Sequence, residues 1–247
     1  MSSKGLTLKL QGWSAWSPSL PSTEDWKQWD GRNLFEVLEQ NPKATSVPAM
    51  VRRRCSRLTK MALQVTEQLL QSSEQPVDFG VFASRHGEIH RTFQLLKNIV
   101  DRESLSPTAF SQSVHNTASG LFGITRKQTI PTTSIAARAG LTEQAWIEAY
   151  SYLKLNPKHS VLLVVFDETI PEQYQTFVEQ QKDIAFALQL GAESSSAEGV
   201  MVSLSTKDLS RYVELDSGGR SSPWQFMQAL VCADQASSGK FSHWSVT

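Results

Sequence analysis

Two histidines, His86 and His90, stand four residues apart in a stretch whose apolar spacing predicts a helix. That spacing puts both imidazoles on one helix face, as a metal-ligand pair requires. Glu88 is the one carboxylate between them, and the sequence marks no third ligand. The two cysteines, Cys55 and Cys232, form no CxxC pair and so supply no thiolate zinc site. Cys55 follows Arg54, a neighbour that lowers a thiol pKa, yet it also borders an apolar helix face where a cysteine simply packs. Ser84 lies near His86 and Ser113 near His115, and Ser119 and Ser134 are further hydroxyls. Triads are defined in space, so adjacency in sequence assembles no nucleophile and base. Asp167-Glu168 ends an apolar run, the position where α/β sheets place functional groups and equally a place for ion pairing.

Phosphate chemistry is poorly served. Neither GxGxxG nor a P-loop occurs, and Ser217-Gly-Gly-Arg-Ser-Ser-Pro223 reads as a surface turn. The one basic cluster, Arg52-Arg-Arg-Cys-Ser-Arg57, puts Arg53 and Arg57 on a shared helix face and turns Arg52 and Arg54 elsewhere.

Length and composition bound the class. The 247 residues suffice for one sizeable core, and the chain reads as a single domain, 1–247. With 24 basic and 24 acidic residues there is no net positive charge to favour nucleic acid. The longest apolar run, Val161–Phe166, is far below the roughly 20 residues that cross a bilayer, so no membrane is expected. Two distant cysteines and no apolar leader at Met1–Leu8 point to the cytoplasm.

The elements that position these groups follow from periodicity. Leu6, Leu8 and Leu10 alternate as a strand, and a tryptophan-rich irregular stretch with Trp13, Trp16, Trp26 and Trp29 follows as an anchor to the core. Pro48 opens a helix to about Leu70. Strands are predicted at Val77–Ala83, Thr129–Ile135 and Val161–Phe166, the last covered on both faces. Between them lie a helix through Ile89–Val100, a turn-and-helix from Ser106-Pro107 to about Thr125, and a helix at Ala139–Leu153. Ile184–Leu190 and Val200–Leu204 read as a hairpin around Gly191–Gly199, followed by a helix near Pro223–Cys232 and a strand at Lys240–Val246. Strand–helix alternation implies parallel pairing in a layered α/β sheet.

Three segments together resemble the amino-terminal half of a β-ketoacyl synthase of the thiolase fold: Ser106-Pro-Thr-Ala-Phe-Ser-Gln-Ser-Val-His-Asn-Thr-Ala-Ser-Gly120, Pro131-Thr-Thr-Ser-Ile-Ala-Ala-Arg-Ala-Gly140, and Val161–Glu168. The resemblance runs from about Val47 to Tyr174. It implies a truncated thiolase-like α/β fold with a mixed sheet covered by helices. It also implies that the first segment, with Asn116 and Gly120, lines a dimer interface and that the second leads into the nucleophile turn. Counting back from Gly140 puts the family's cysteine at Ala137; counting forward from Pro131 leaves a two-residue deficit, and no cysteine is near on either count. A methyl group cannot attack a thioester.

The family's second half, with its two histidines, is absent as well. The chain is thus similar to the cysteine-less chain-length-factor type of ketosynthase subunit, found in polyketide and aryl-polyene systems. That implies a non-catalytic subunit without cofactor or metal, heterodimerised with a full-length ketosynthase and meeting an acyl carrier protein only through the complex. The interface and tunnel residues so implied are Phe110, His115, Asn116, Ser119, Gly120, Phe122, Thr133, Ser134 and Ile135, with the small residues around Ala137. A purely structural subunit and a serine-dependent hydrolase or acyltransferase using Ser84, Ser113 or Ser134 are the alternatives.

Overall fold

The computed structural model describes residues 5–30, 41–73, 75–127, 129–178, 182–205, 222–235, 240–241 and 244–247. Alternation in the first segment gives β1 (Leu6–Trp16), a long strand with a bulge between Leu10 and Gly12. Ser22 caps α1 (Thr23–Gln28) in a reciprocal capping box with Asp25. The chain then passes through α2 (Ala49–Arg52), α3 (Arg57–Ser72), β2 (Phe79–Ala83), α4 (Ile89–Val100), α5 (Pro107–Ser111), α6 (Thr117–Arg126) and β3 (Thr132–Ile135). After α7 (Leu141–Leu155) come β4 (Ser160–Asp167), a short 3-10 turn, β5 (Ile184–Ala192), β6 (Val200–Leu204), α8 (Ser222–Gln235), β7 (Lys240–Phe241) and β8 (Trp244–Val246).

The strands form one mixed sheet in the order β3-β2-β4-β5-β1-β6-β8-β7. Only β3, β2 and β4 run parallel, joined through helices; the remaining neighbours are antiparallel. All eight residues of β4 are buried. Val161, Leu163 and Val165 face a core shared with α7, α8 and the tryptophans, while Leu162, Val164 and Phe166 face a second core built on α3 and α6. That two-sided burial explains why β4 is continuously apolar. The tryptophans do anchor the irregular segment: Trp26, Trp29 and Trp224 pack with ring centroids 5.1–5.8 Å apart, mostly edge to face.

Several expectations are corrected. β5 and β6 are not a hairpin, because β1 lies between them and pairs antiparallel with both. The 193–199 loop crosses over β1 instead, with the Lys9 ammonium donating to the Ser195 carbonyl. Gly199 is required at its end, since a Cβ there would sit 2.4 Å from the Leu10 carbonyl oxygen. Local alternation could not reveal a partner strand some 180 residues away in sequence. The helix opened by Pro48 does not run to Leu70 either. It stops at Arg52, and Ser56 caps a new helix by accepting from the Thr59 amide, so Arg53 and Arg57 share no face. The strand expected at Thr129–Ile135 is confined to its last four residues. The Ser217–Ser221 turn lies outside the described residues. Among the described residues, no helix is long and apolar enough to cross a membrane.

Candidate functional site

The carboxyl ends of parallel strands are where α/β sheets gather functional groups. Here β2, β3 and β4 end side by side, and the loop Ser84–Glu88 crosses their ends. Ser84 is buried at its centre. The Ser84 amide donates to the Ile135 carbonyl at the end of β3 (3.1 Å), and the Ser84 hydroxyl donates to Asp167 Oδ1 at the end of β4 (3.0 Å). The same hydroxyl accepts from the Gly87 amide (2.9 Å), and Asp167 Oδ1 also accepts from the Arg85 amide (2.7 Å). The His115 ring closes the web: its Nε2 lies 2.8 Å from the Ser84 carbonyl, an oxygen that can only accept, so Nε2 carries the proton.

Burial dominates the electrostatics. Asp167 is withdrawn from water and its carboxyl is pushed up to about 7, against the opposing hydrogen bonds from Arg85 and Ser84. Its Oδ2 is buried with no partner among the described residues. Beside it, burial also raises the Glu168 carboxyl, opposed by the positive charge of His90 and Arg57. Arg57 bridges Glu168 (3.4 Å) and Asp183 (2.7 Å) and stacks over the Trp16 ring at 5.7 Å. Glu88 accepts from Ser56 (2.7 Å) and Thr59 (2.6 Å), which fixes the start of α4 to α3.

His86 and His90 do not share a helix face. His86 sits in the loop, and Gly87 at φ 55° interrupts the chain before α4 begins. Among the described residues no group of three potential ligands forms. Cys55 is no activated thiol: burial pushes it up to about 11, and its Sγ donates to the Val51 carbonyl at 3.3 Å.

The hydroxyl candidates are tied elsewhere. Ser84 Oγ is bound as above, Ser113 Oγ donates to the Phe110 carbonyl, and Ser134 Oγ lies 3.3 Å from Ser119 Oγ. The His115 imidazole is bonded to the Ser84 carbonyl, not its hydroxyl, so these two are not a nucleophile–base pair.

The sequence-derived interface residues divide by exposure. Phe110 is 67% exposed on α5; Asn116, Gly120 and Ile124 form one exposed stripe on α6 at four-residue spacing. Ser119 faces inward and meets Ser134 of β3. Thr133, Ser134 and Ile135 lie on the strand at the end of the sheet order, half-buried, with β2 on one side. Ala137 lies in the β3–α7 turn, half-buried against the first core. Phe122 is fully buried in the second core, 5.5 Å from Phe82, on the opposite side of α6 from the exposed stripe.

Two cavities of about 280 and 460 Å³ lie along β1, away from these residues. The buried web of Ser84, Asp167 and Gly87 was missed as a unit. Its signal was a serine just after one predicted strand and an aspartate ending another.

Gly87 has a second constraint: a Cβ there would stand 2.8 Å from His115 Cδ2. Gly87→Ala is expected to displace the His115 ring and cost about 1–2 kcal/mol through the positive φ and the clash. Thermal unfolding and histidine NMR check both; an unmoved ring would contradict the packing.

Helices on both faces of a mixed sheet, with a three-strand parallel edge, define a thiolase-like fold. The β-ketoacyl synthase N-terminal domain model matches residues 26–245, and the chain belongs to that family. The structure is similar to a chain in a complex of the ketosynthase ApeO with its chain length factor ApeC from Xenorhabdus doucetiae. That likeness has a TM-score of 0.70 and 28% identity, covering 97% of this chain and 98% of that one. It is also similar to a chain of the ishigamide ketosynthase/chain length factor (TM-score 0.67, 14% identity, 97% and 98% covered). A β-ketoacyl synthase from Burkholderia phymatum STM815 shares the fold at TM-score 0.59 and 12% identity, with 81% of this chain but only 63% of that one covered. No curated protein matches.

Proposed function

We propose that this chain is a non-catalytic subunit of the chain-length-factor type, which heterodimerises with a cysteine-bearing β-ketoacyl synthase and shapes the acyl tunnel of the pair in polyketide or aryl-polyene-type biosynthesis. One observation carries the reading. Of the eleven large apolar residues exposed among the described residues, seven fall between Leu96 and Ile124, on α4, α5, α6 and the turns between them. Concentrated apolar exposure of this kind marks an association surface. It lies next to β3, the strand that ends the sheet, and two of its members, Phe110 and Val114, fall in Ser106–Gly120, the segment whose resemblance implies a dimer-interface helix.

Family membership and the near-equal length of the chains matched in two ketosynthase/chain length factor complexes support the same reading. The segment 134–141 offers alanines and no thiol where a ketosynthase carries its nucleophile, so chain extension falls to the partner. The acyl carrier protein is met through the complex.

Phe110 and His115 are the residues proposed to meet the growing chain, and tunnel depth then limits how many carbons fit. The test co-expresses the chain with a ketosynthase of the same genome and measures product lengths by mass spectrometry. Phe110→Ala and His115→Ala are expected to lengthen the products. Unchanged lengths with retained complex formation favour the purely structural reading, in which the subunit only stabilises the synthase.

A further inference from the structure

We infer that Ser84 is a positioning residue for the partner face, holding His115 and the end of β3 in one register through its bond to buried Asp167; this rests on the function proposed above. Three of its groups are engaged, and they reach different elements. The amide is bound to β3, the carbonyl to the ring that precedes α6, and the hydroxyl to β4 and to the loop's own Gly87. The two parts of the proposed interface, β3 and α6, meet directly where Ser119 and Ser134 lie 3.3 Å apart. Ser84 therefore sets how His115 stands relative to Ile135.

Asp167 fixes Ser84 in turn. It ends β4, every residue of which is buried, and directs one oxygen at both the Ser84 hydroxyl and the Arg85 amide. Gly87 leaves the ring just enough room on the other side. A group anchored in the core thus reaches the surface through one hydroxyl, and rigid support of this kind fixes a surface side chain better than a free loop does.

The experiment compares wild type, Ser84→Ala and Asp167→Asn by histidine NMR of the chain alone and by affinity for the ketosynthase. The asparagine keeps an oxygen for both donors and is the conservative control. Expected for Ser84→Ala are loss of the hydrogen-bonded His115 Nε2–H resonance and a Kd raised at least tenfold, with Asp167→Asn retaining both wild-type values. Ser84→Cys, nearly isosteric and a weaker donor, gives a smaller change in the same direction and serves if the alanine variant does not fold. An unchanged His115 resonance in the Ser84 variants overturns the inference, as does a changed resonance with unchanged affinity. Failure of the wild type to bind any ketosynthase overturns it together with the proposed function, and is recognised without any variant.

Discussion

Gly120→Arg is expected to leave the isolated chain as stable as before, or slightly more stable, while weakening ketosynthase binding at least a hundredfold. A Cβ at Gly120 meets no atom within 4 Å, so the side chain enters open space. Glycine inside a helix costs about 1 kcal/mol relative to better helix formers, and its replacement in α6 recovers part of that. The same side chain projects from the exposed stripe of Asn116 and Ile124. If the partner covers this stripe, an arginine must be buried without a counter-ion or hold the surfaces apart, and either costs several kcal/mol. Thermal unfolding of the chain alone and titration against the purified ketosynthase separate the two effects. Undiminished binding would show that α6 does not face the partner.

The second large effect concerns pH. Burial raises the Asp167 carboxyl from an ordinary value of about 4 to about 7. Between these limits the folded chain holds a proton that the unfolded chain has released, so stability falls as pH rises through the window. Above about pH 7 the charged, buried carboxylate weakens the fold by its full amount; below about pH 4 both states are protonated and the effect vanishes. Asp167→Asn removes the titration and retains the acceptor for Ser84 and Arg85. The variant is therefore expected to exceed wild type in stability at pH 8 by on the order of 2–4 kcal/mol. Its amide leaves a buried donor unpaired, which sets the lower end. The difference should shrink steadily towards pH 4. Denaturant titrations at several pH values measure it; parallel curves for the two proteins would mean that Asp167 is ionised without strain in the fold.

How much of the site was legible can be traced residue by residue. The family resemblance rested on Ser106–Gly120 and Pro131–Gly140, whose residue types survive without alignment in space. It therefore placed Asn116, Gly120 and Thr133–Ile135 on β3 and α6, and the exposure of Asn116 and Gly120 suits the role proposed for them. It also named Phe122, which lies on the inward side of α6; residues two apart on a helix point to different sides, and a motif does not say which side is inward. For Cys55 the sequence left two readings, a thiol activated by Arg54 and a thiol packed on an apolar face; burial, which pushes the thiol up to about 11, decides for the second.

The sequence alone determined what depends on local spacing and residue type: the alternation of β1, the two-sided burial of β4, and the absence of cysteine from Pro131–Gly140. Tertiary structure decided everything that depends on which strands are neighbours. It put β1 between β5 and β6, drew Arg57 to Glu168 and Asp183, and brought Ser84 against Asp167, 83 residues away. The reason is physical. A backbone ladder takes any strand of suitable polarity as a partner, and the choice is made by packing of whole faces, which no short stretch of chain contains.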